Sequence, residues 1–174
     1  MIKGKKSLAE THPEVAEQWH PTLNENLTAF EVTAGSVKKI WWNCNKGNDH
    51  EWLSTPNTMT SVSSGCRVCS NRLIVKSNCL ATTHSKLANE WHPFKNGNLT
   101  PFNIGAGSNK KVWWKCSQGE DHEWIANPNA RSGQNQNCPI CSNRKIVKSN
   151  CLATTHPNLA LELHPTKNGN LTPL

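Results

Sequence analysis

The chain has 174 residues, of which 35% are hydrophobic, and its 19 basic and 12 acidic residues give a formal net charge of +7. It contains nothing close to the roughly 20 consecutive apolar residues of a membrane helix, so we expect no membrane span. A basic chain favours a polyanionic partner, most often nucleic acid, although moderate positive charge also serves solubility. No apolar signal segment follows residues 1–6, and we therefore expect a cytoplasmic protein whose thiols stay reduced.

A repeat of 72 residues organises the chain, and each copy begins with a short amphipathic helix. Apolar residues recur in this helix at positions i, i+1 and i+4, and a His-Pro step ends it. A helix this short does not persist alone in water, so it must pack on a neighbour. The three helices are expected at 13–19, 85–91 and 157–163. An extended segment follows each of them, at 26–28, 98–100 and 170–172.

The strongest motif is Cys-x5-His-x15-Cys-x2-Cys, which occurs twice without insertion or deletion. Its residues are Cys44, His50, Cys66 and Cys69, and then Cys116, His122, Cys138 and Cys141. Three thiolates and one imidazole complete the tetrahedral coordination of Zn²⁺ and leave no position open to substrate or water. A disulfide framework is the alternative use of eight cysteines, but the strict spacing favours metal. We therefore predict two structural zinc ions per chain, which stabilise units too poor in apolar residues to fold by burial alone.

Each zinc unit is expected to contain a β-hairpin, which carries the first Cys and the His, and a short basic helix opened by the second Cys pair. Strand alternation places Trp42 and Trp52 beside the ligands in the first unit, and Trp114 and Trp124 in the second. Trp41 and Trp113 fall on the opposite face of the hairpin. They either stack on nucleic-acid bases or pack against the short helices, and we favour the packing. Cys79 and Cys151 are additional to the ligands and are interpreted as small buried apolar residues.

The predicted fold is a small zinc-stabilised α+β chain with two tandem treble-clef zinc units, each a β-hairpin plus a helix, alternating with short helices. The first zinc repeat is expected at 1–79 and the second at 80–151. Residues 152–174 are a partial third repeat, whose helix caps the second unit. The alternative for this last segment is a third repeat that is cut short.

Several motifs carry a resemblance to a known family. They are Glu90-Trp91-His92-Pro93, Val112-Trp113-Trp114-Lys115-Cys116, Arg131 and Cys138-Pro139-Ile140-Cys141. With them the chain resembles the probable zinc-ribbon, treble-clef repeat family, which occurs in tandem in bacteria, algae and large DNA viruses. Some members are fused to restriction-endonuclease-like nuclease domains, so the resemblance implies a function associated with DNA. The first copy departs from the pattern, with Met59 in place of Arg131 and Arg67 in place of Pro139.

The leading functional hypothesis is a non-catalytic module that binds nucleic acid, with double-stranded DNA favoured, through its backbone phosphates. The side chains expected to contact the phosphates are Lys38, Lys39, Arg72, Lys76, Lys110, Lys111, Lys115, Arg131, Arg144, Lys145 and Lys148. From 70–84 to 142–156 the two copies differ at a single position, Leu73 against Lys145. Both units are therefore expected to offer a similar basic surface to one polymer.

Two other classes of function remain to be weighed. A protein-interaction or scaffold module, for example a partner of a nuclease, is the alternative, and the tryptophan content suits such an interface. An enzyme is disfavoured, and no small-molecule substrate is expected. The Asp-His-Glu runs at 49–51 and 121–123 resemble part of a nuclease site, but both histidines are needed for zinc, and a closed site activates no water.

Overall fold

The computed structural model describes residues 4–61, 65–134 and 136–174, and the chain divides into two compact units, Met1–Cys79 and Leu80–Leu174. The partial third copy, residues 152–174, falls within the second unit. Within the described ranges, no helix has the length and apolarity that crossing a membrane requires.

Among its described residues, 4–61 and 65–79, the first unit contains three short helices and one antiparallel hairpin. In chain order these are α1 Leu8–Thr11, α2 Pro13–Ala16, β1 Ile40–Asn43, β2 Glu51–Ser54 and α3 Pro56–Ser61. A capping box starts α1, because Ser7 Oγ accepts the Glu10 N–H while the Glu10 carboxylate accepts the Ser7 N–H.

The second unit repeats this order and adds the third copy. Its elements are α4 Leu80–Thr83, α5 Ser85–Ala88, β3 Val112–Lys115, β4 Glu123–Ala126, α6 Pro128–Gly133, a 3₁₀ turn Lys148–Asn150, α7 Leu152–Thr155 and α8 Pro157–Leu161. The predicted small α+β architecture with two tandem hairpin units is therefore what the chain forms.

Each hairpin turns one face into the core of its unit. In the first unit Trp42 pairs across the strands with Trp52, and both rings are buried, as the alternation predicts. Trp19, from the segment after α2, packs edge-on against Trp42 with ring centres 5.6 Å apart. In the second unit Trp114 pairs with Trp124, and Trp91 packs on Trp114 at 5.4 Å. Three indole rings per unit thus pack in the same hydrophobic cluster as zinc ligands of that unit.

The segment after α2 covers the free edge of β1. The Asn43 N–H donates to the Gln18 carbonyl at 2.8 Å, and the His20 N–H donates to the Trp41 carbonyl at 3.1 Å. The Asn24 side chain also bonds both the N–H and the carbonyl of Trp41. The second unit makes the same bonds 72 residues later. Strand-edge pairing is therefore how the short helical segments gain the partner that they need.

The prediction of a basic helix after the second Cys pair is wrong. Residues 65–79 form consecutive turns, and Asn71 ends the first of them in the left-handed region with φ 55°. Asn143 does the same in the second unit with φ 54°. Since a left-handed residue ends a right-handed helix, the chain after each Cys pair makes about one turn and then changes direction. The helices of each unit lie elsewhere, and α3 and α6, between the return strand and the Cys pair, were not predicted.

The predicted amphipathic helix of each repeat, α2, α5 or α8, is shorter than expected. The predicted span 13–19 ends as a helix at Ala16, 85–91 ends at Ala88, and 157–163 ends at Leu161. The remaining residues of the first two spans leave the helix because their backbone pairs with the strand edge described above.

Two candidate metal centres and the basic surface around them

The structure brings the eight predicted zinc ligands together as two separate groups. One group is Cys44, His50, Cys66 and Cys69, and the other is Cys116, His122, Cys138 and Cys141. Within each group the four ligand atoms all lie within 4.8 Å of one another. All eight cysteines of the chain are free thiols, which rules out the disulfide framework.

The distances between ligand atoms match the edges of a zinc tetrahedron. Zn–S bonds of about 2.3 Å and a Zn–N bond of about 2.0 Å place two sulfurs about 3.8 Å apart and a sulfur and nitrogen about 3.5 Å apart. The Cys44 and Cys69 sulfurs are 3.9 Å apart, and the Cys116 and Cys141 sulfurs are 3.7 Å apart. His50 Nδ1 lies 3.6 Å from the Cys66 sulfur. The two Cys₃His groups therefore fit the two zinc ions that the spacing predicts.

The second nitrogen of each ligand histidine is held by a serine. His50 presents Nδ1 to the thiols, 3.3 Å from the Cys69 sulfur, and its Nε2 lies 3.3 Å from Ser77 Oγ. The Ser77 N–H in turn donates to the Asp49 carboxylate at 2.8 Å, and hydrogen bonds from the Ser77 side chain and N–H lower the pKa of Asp49. His122, Ser149 and Asp121 repeat the arrangement. Such outer partners fix the tautomer and the orientation of a metal-binding imidazole.

The thiols of each group are crowded enough to need a cation. Desolvation, together with the neighbouring Cys66 and Cys44, raises the pKa of the Cys69 thiol to about 11. In the second group, desolvation and the neighbouring thiols Cys116 and Cys138 raise the pKa of Cys141 to about 12. Zn²⁺ supplies the compensating charge and binds the thiolates, so metal binding must release protons from these thiols.

A glycine in each hairpin loop makes room for the ligand histidine. A Cβ added at Gly47 would lie 2.6 Å from Cδ2 and 2.7 Å from Nε2 of His50. At Gly119 the corresponding distances to His122 are 2.5 and 2.8 Å. Since carbon atoms do not approach this closely without displacement, the imidazole can take its position only beside glycine.

The remaining two cysteines are buried beneath the turns. Cys79 is fully buried, and Cys151 is 2% exposed. They occupy the positions expected of small apolar side chains.

Most of the cations that were predicted to contact nucleic acid are exposed on their units. The exposed ones are Lys38, Lys39, Arg72, Lys76, Lys110, Lys111, Arg144, Lys145 and Lys148. Lys115 is half-buried and pairs with the Glu123 carboxylate at 3.6 Å.

Arg131 is a correction, because the structure buries it. Its guanidinium lies 4.6 Å from the centre of the Trp114 ring and 5.1 Å from that of Trp124, and it pairs with Glu90 at 2.7 Å. At 3% exposure it cannot reach a phosphate. The first copy has Met59 at this position and Gln18 at that of Glu90. The ion pair is therefore replaced as a whole in the first copy. A buried arginine needs a carboxylate partner, whereas a methionine at the same position does not.

Trp41 and Trp113 lie outside the hydrophobic clusters that contain the apolar residues of the short helices, which does not agree with the packing interpretation. Trp41 is 37% exposed on the outer face of its hairpin, opposite Leu53. Trp113 is half-buried, and the Lys95 ammonium lies 4.7 Å from the centre of its ring. The tryptophans that pack against the hairpins are Trp19 and Trp91, whose side chains come from the segments that follow the helices.

A His–Glu pair behind this outer face was missed from the sequence. His92 Nδ1 accepts the N–H groups of Phe94 and Lys95, so the proton is on Nε2, which donates to Glu123 at 3.0 Å. Hydrogen bonds from Lys95 and His92 lower the pKa of Glu123 to about 2. The signal was present in the sequence as a glutamate 31 residues after the histidine of the first two His-Pro steps, Glu51 after His20 and Glu123 after His92.

Comparison with known proteins identifies the family. A family described as "Probable Treble clef zinc finger domain" matches residues 15–72 and 87–144, which together are about two thirds of the chain. No curated protein matches the chain. The two matched segments contain both Cys₃His groups in full. The chain therefore belongs to the family of probable treble clef zinc finger domains, as a tandem pair.

Proposed function

We propose that the chain is a non-catalytic zinc module that binds nucleic acid, specifically double-stranded DNA, through the backbone phosphates. The observation that carries the proposal is the repetition of exposed cations at equivalent positions of the two units. Lys38 and Lys39 precede β1, and Lys110 and Lys111 precede β3, all of them exposed. Ammonium groups in this position neutralise phosphates and release counterions, so binding weakens steeply as salt rises.

The non-catalytic part of the proposal rests on the ligand sets and the histidines. Four protein ligands complete each zinc site, so no coordination position is left for a water nucleophile. His20 and His92 are engaged with carboxylates, and their Nδ1 atoms accept backbone N–H groups.

The zinc sites also support a cytoplasmic location for the protein. Both sites need reduced cysteine thiolates, which persist in the reducing cytoplasm.

The partial third copy is proposed to cap the second unit. Cys151, immediately before α7, is buried, and the Ala153 N–H donates to the Pro173 carbonyl, so the segment folds back on itself next to that unit. Terminal segments of this kind cover the exposed end of a repeat array.

The test is a titration of fluorescently labelled duplex DNA at several salt concentrations, with protein of measured zinc content. We expect two zinc ions per chain and an affinity that falls linearly on a log–log plot against salt. Replacing Lys38, Lys39, Lys110 and Lys111 by Gln should reduce the slope by up to about 3.6 units, at roughly 0.9 per phosphate contact. A wild-type protein that is zinc-loaded and folded but has no measurable affinity for duplex DNA would overturn the proposal.

A protein-interaction module is the second candidate, and one observation favours it. On the outer face of the first hairpin, Leu23, Trp41 and Leu53 are 45%, 37% and 38% exposed and form an apolar surface. Exposed clusters of this kind mark sites of protein association, and a nuclease is the partner that this candidate implies. Binding there would tolerate salt and would be lost in Trp41→Ala, whereas the four lysine replacements would leave it unchanged.

A further inference from the structure

Three lysines distinguish the outer face of the second hairpin from that of the first. The two units have the same strand register and the same segment along the strand edge, so their outer faces can be compared position by position. Where the first unit has Leu23, Asn43 and Leu73, the second has Lys95, Lys115 and Lys145. The three positions are separated in sequence, and the fold brings them around one residue, Glu123.

The three ammonium groups converge on Glu123 from three directions. Lys95 pairs with Oε2 of the carboxylate, and Lys115 lies 3.6 Å from Oε1. Lys145 reaches the same residue from the turn after the second Cys pair, where its Nζ donates to the Glu123 carbonyl at 3.0 Å. Each ammonium has further N–H donors directed elsewhere, because a lysine carries three of them.

The convergence leaves a local excess of positive charge. Three ammonium groups lie around one glutamate: Lys95 and Lys115 pair with its carboxylate, and Lys145 donates to its main-chain carbonyl. In the first unit the equivalent carboxylate, Glu51, faces His20 and no lysine at the three equivalent positions. The glutamate at this position is therefore accompanied by three lysines in the second unit and by none of them in the first. Of the 19 basic and 12 acidic residues, ten basic and five acidic lie in the second unit, which agrees with this difference.

Apolar surface lies directly beside the three lysines. Lys95 lies over the ring of Trp113, Phe94 is 88% exposed, and Ile125 pairs with Trp113 across the strands. A group that is both anionic and partly apolar fits this surface better than an inorganic ion does. A nucleic-acid strand has that character, since its phosphates alternate with sugars and bases that contact aromatic rings.

We propose that Lys95, Lys115 and Lys145 form a phosphate-binding site on the outer face of the β3–β4 hairpin, with Trp113 and Phe94 contacting the adjoining sugar or base. The inference rests on the proposed nucleic-acid function and deepens it, because it assigns the strongest backbone contact to the second unit. Glu123 positions the three lysines in the absence of nucleic acid, Lys95 and Lys115 through its carboxylate and Lys145 through its main-chain carbonyl. The first unit, which has the same backbone and none of these lysines, makes no such contact.

The first unit supplies the test variant. In the full chain, Lys95→Leu, Lys115→Asn and Lys145→Leu together give the second unit the residues that the first unit already carries on the same backbone, so folding is expected to persist. Retention of two zinc ions per chain and of the wild-type circular dichroism spectrum checks this. The salt slope for duplex DNA should fall by about 2.7 units, and affinity near 0.1 M salt should fall on the order of a hundredfold.

The reciprocal variant is the matched control. Leu23→Lys, Asn43→Lys and Leu73→Lys place the same lysines around Glu51 and should strengthen DNA binding and steepen the salt slope. Wild-type protein that binds DNA with a salt dependence unchanged by the triple replacement in the second unit would overturn this inference and leave the proposed function standing. Wild-type protein that does not bind DNA at all would overturn the proposed function itself.

Discussion

Replacement of Gly47 by alanine should weaken the first zinc site and leave the second intact. The new Cβ would lie 2.6 Å from Cδ2 of His50, about 1 Å inside ordinary carbon–carbon contact. His50 cannot turn away without losing either the metal at Nδ1 or Ser77 at Nε2. The loop must therefore move, and the strain appears as a loss of zinc affinity.

The magnitude follows from the cost of inserting a methyl group into a closely packed site. Such overpacking costs about 1–3 kcal/mol, which corresponds to roughly 5- to 150-fold weaker zinc binding. Competition with a chromophoric chelator measures the two sites separately, since in the variant one ion is lost at lower chelator concentration than the other. The matched control is Gly35→Ala in the same unit, where an added Cβ has no atom within 4 Å. If Gly47→Ala and Gly35→Ala bind both ions as tightly as wild type, the argument that the glycine is required by the histidine is wrong.

Three further replacements test the zinc site, a strained turn and the buried ion pair. Cys69→Ser should lower the zinc content from two ions to one and unfold the first unit, because a site that loses a thiolate no longer stabilises it. Glu25→Gly should stabilise the first unit by about 1 kcal/mol, since Glu25 has φ 54° while Gly97, its equivalent, has φ 55°. Glu90→Gln should destabilise the second unit, because it leaves the buried Arg131 cation unpaired. The expected loss is about 1–3 kcal/mol and no more, because Glu90 is about one-third exposed and solvent screens part of the interaction.

Each of these has its own control. Elemental analysis measures the zinc content of Cys69→Ser, and a folded protein with one site empty would contradict the stabilising role of the ion. Thermal unfolding compares Glu25→Gly with the reverse change, Gly97→Glu, which should destabilise by a similar amount. Adding Arg131→Met to Glu90→Gln reproduces the pair found in the first unit and should restore stability to within about 1 kcal/mol of wild type. If the double variant is no more stable than Glu90→Gln, the coupling between the two side chains is absent.

The zinc ligands were predictable because metal coordination imposes fixed residue types at fixed spacing. Two Cys-x5-His-x15-Cys-x2-Cys motifs specify the donors independently of the secondary structure between them. The buried tryptophans followed from strand alternation, which holds over the four residues of each strand. Strand alternation and ligand chemistry were therefore enough to predict the two hairpins, their buried tryptophans and the two zinc sites.

The helices were predicted less well because their limits depend on tertiary contacts. The sequence of 13–19 is amphipathic throughout, but its last residues pair with the edge of β1 and so leave the helix at Ala16. After the second Cys pair, basic residues are compatible with a helix, but Asn71 adopts a left-handed conformation that no periodicity reveals. Propensity is a weak guide where the competing partner is distant in sequence.

The residues expected to contact nucleic acid were chosen because they are lysine or arginine. Residue type alone does not distinguish a cation that faces solvent from one that is buried. Arg131 is buried against two indole rings, whereas Lys95, which no motif marks, is exposed and lies over the half-buried ring of Trp113. Comparing the two copies does not separate them either, because each is matched by an apolar residue, Arg131 by Met59 and Lys95 by Leu23. Only the fold shows that Met59 is 5% exposed and Leu23 45% exposed.

The turn that follows the His-Pro step has a consequence for the order in which the chain folds. In the third copy His164 Nδ1 accepts the N–H groups of Thr166 and Lys167, and Gly169 has φ 58°, the conformation that the other two copies show beside a hairpin. Its geometry is therefore encoded by adjacent residues. In the first two copies such a turn emerges from the ribosome before the strand that pairs beside it, so its shape is available when the strand arrives. The closure that remains joins residues about 20 positions apart, as between His20 and Trp41, and this modest separation favours rapid pairing.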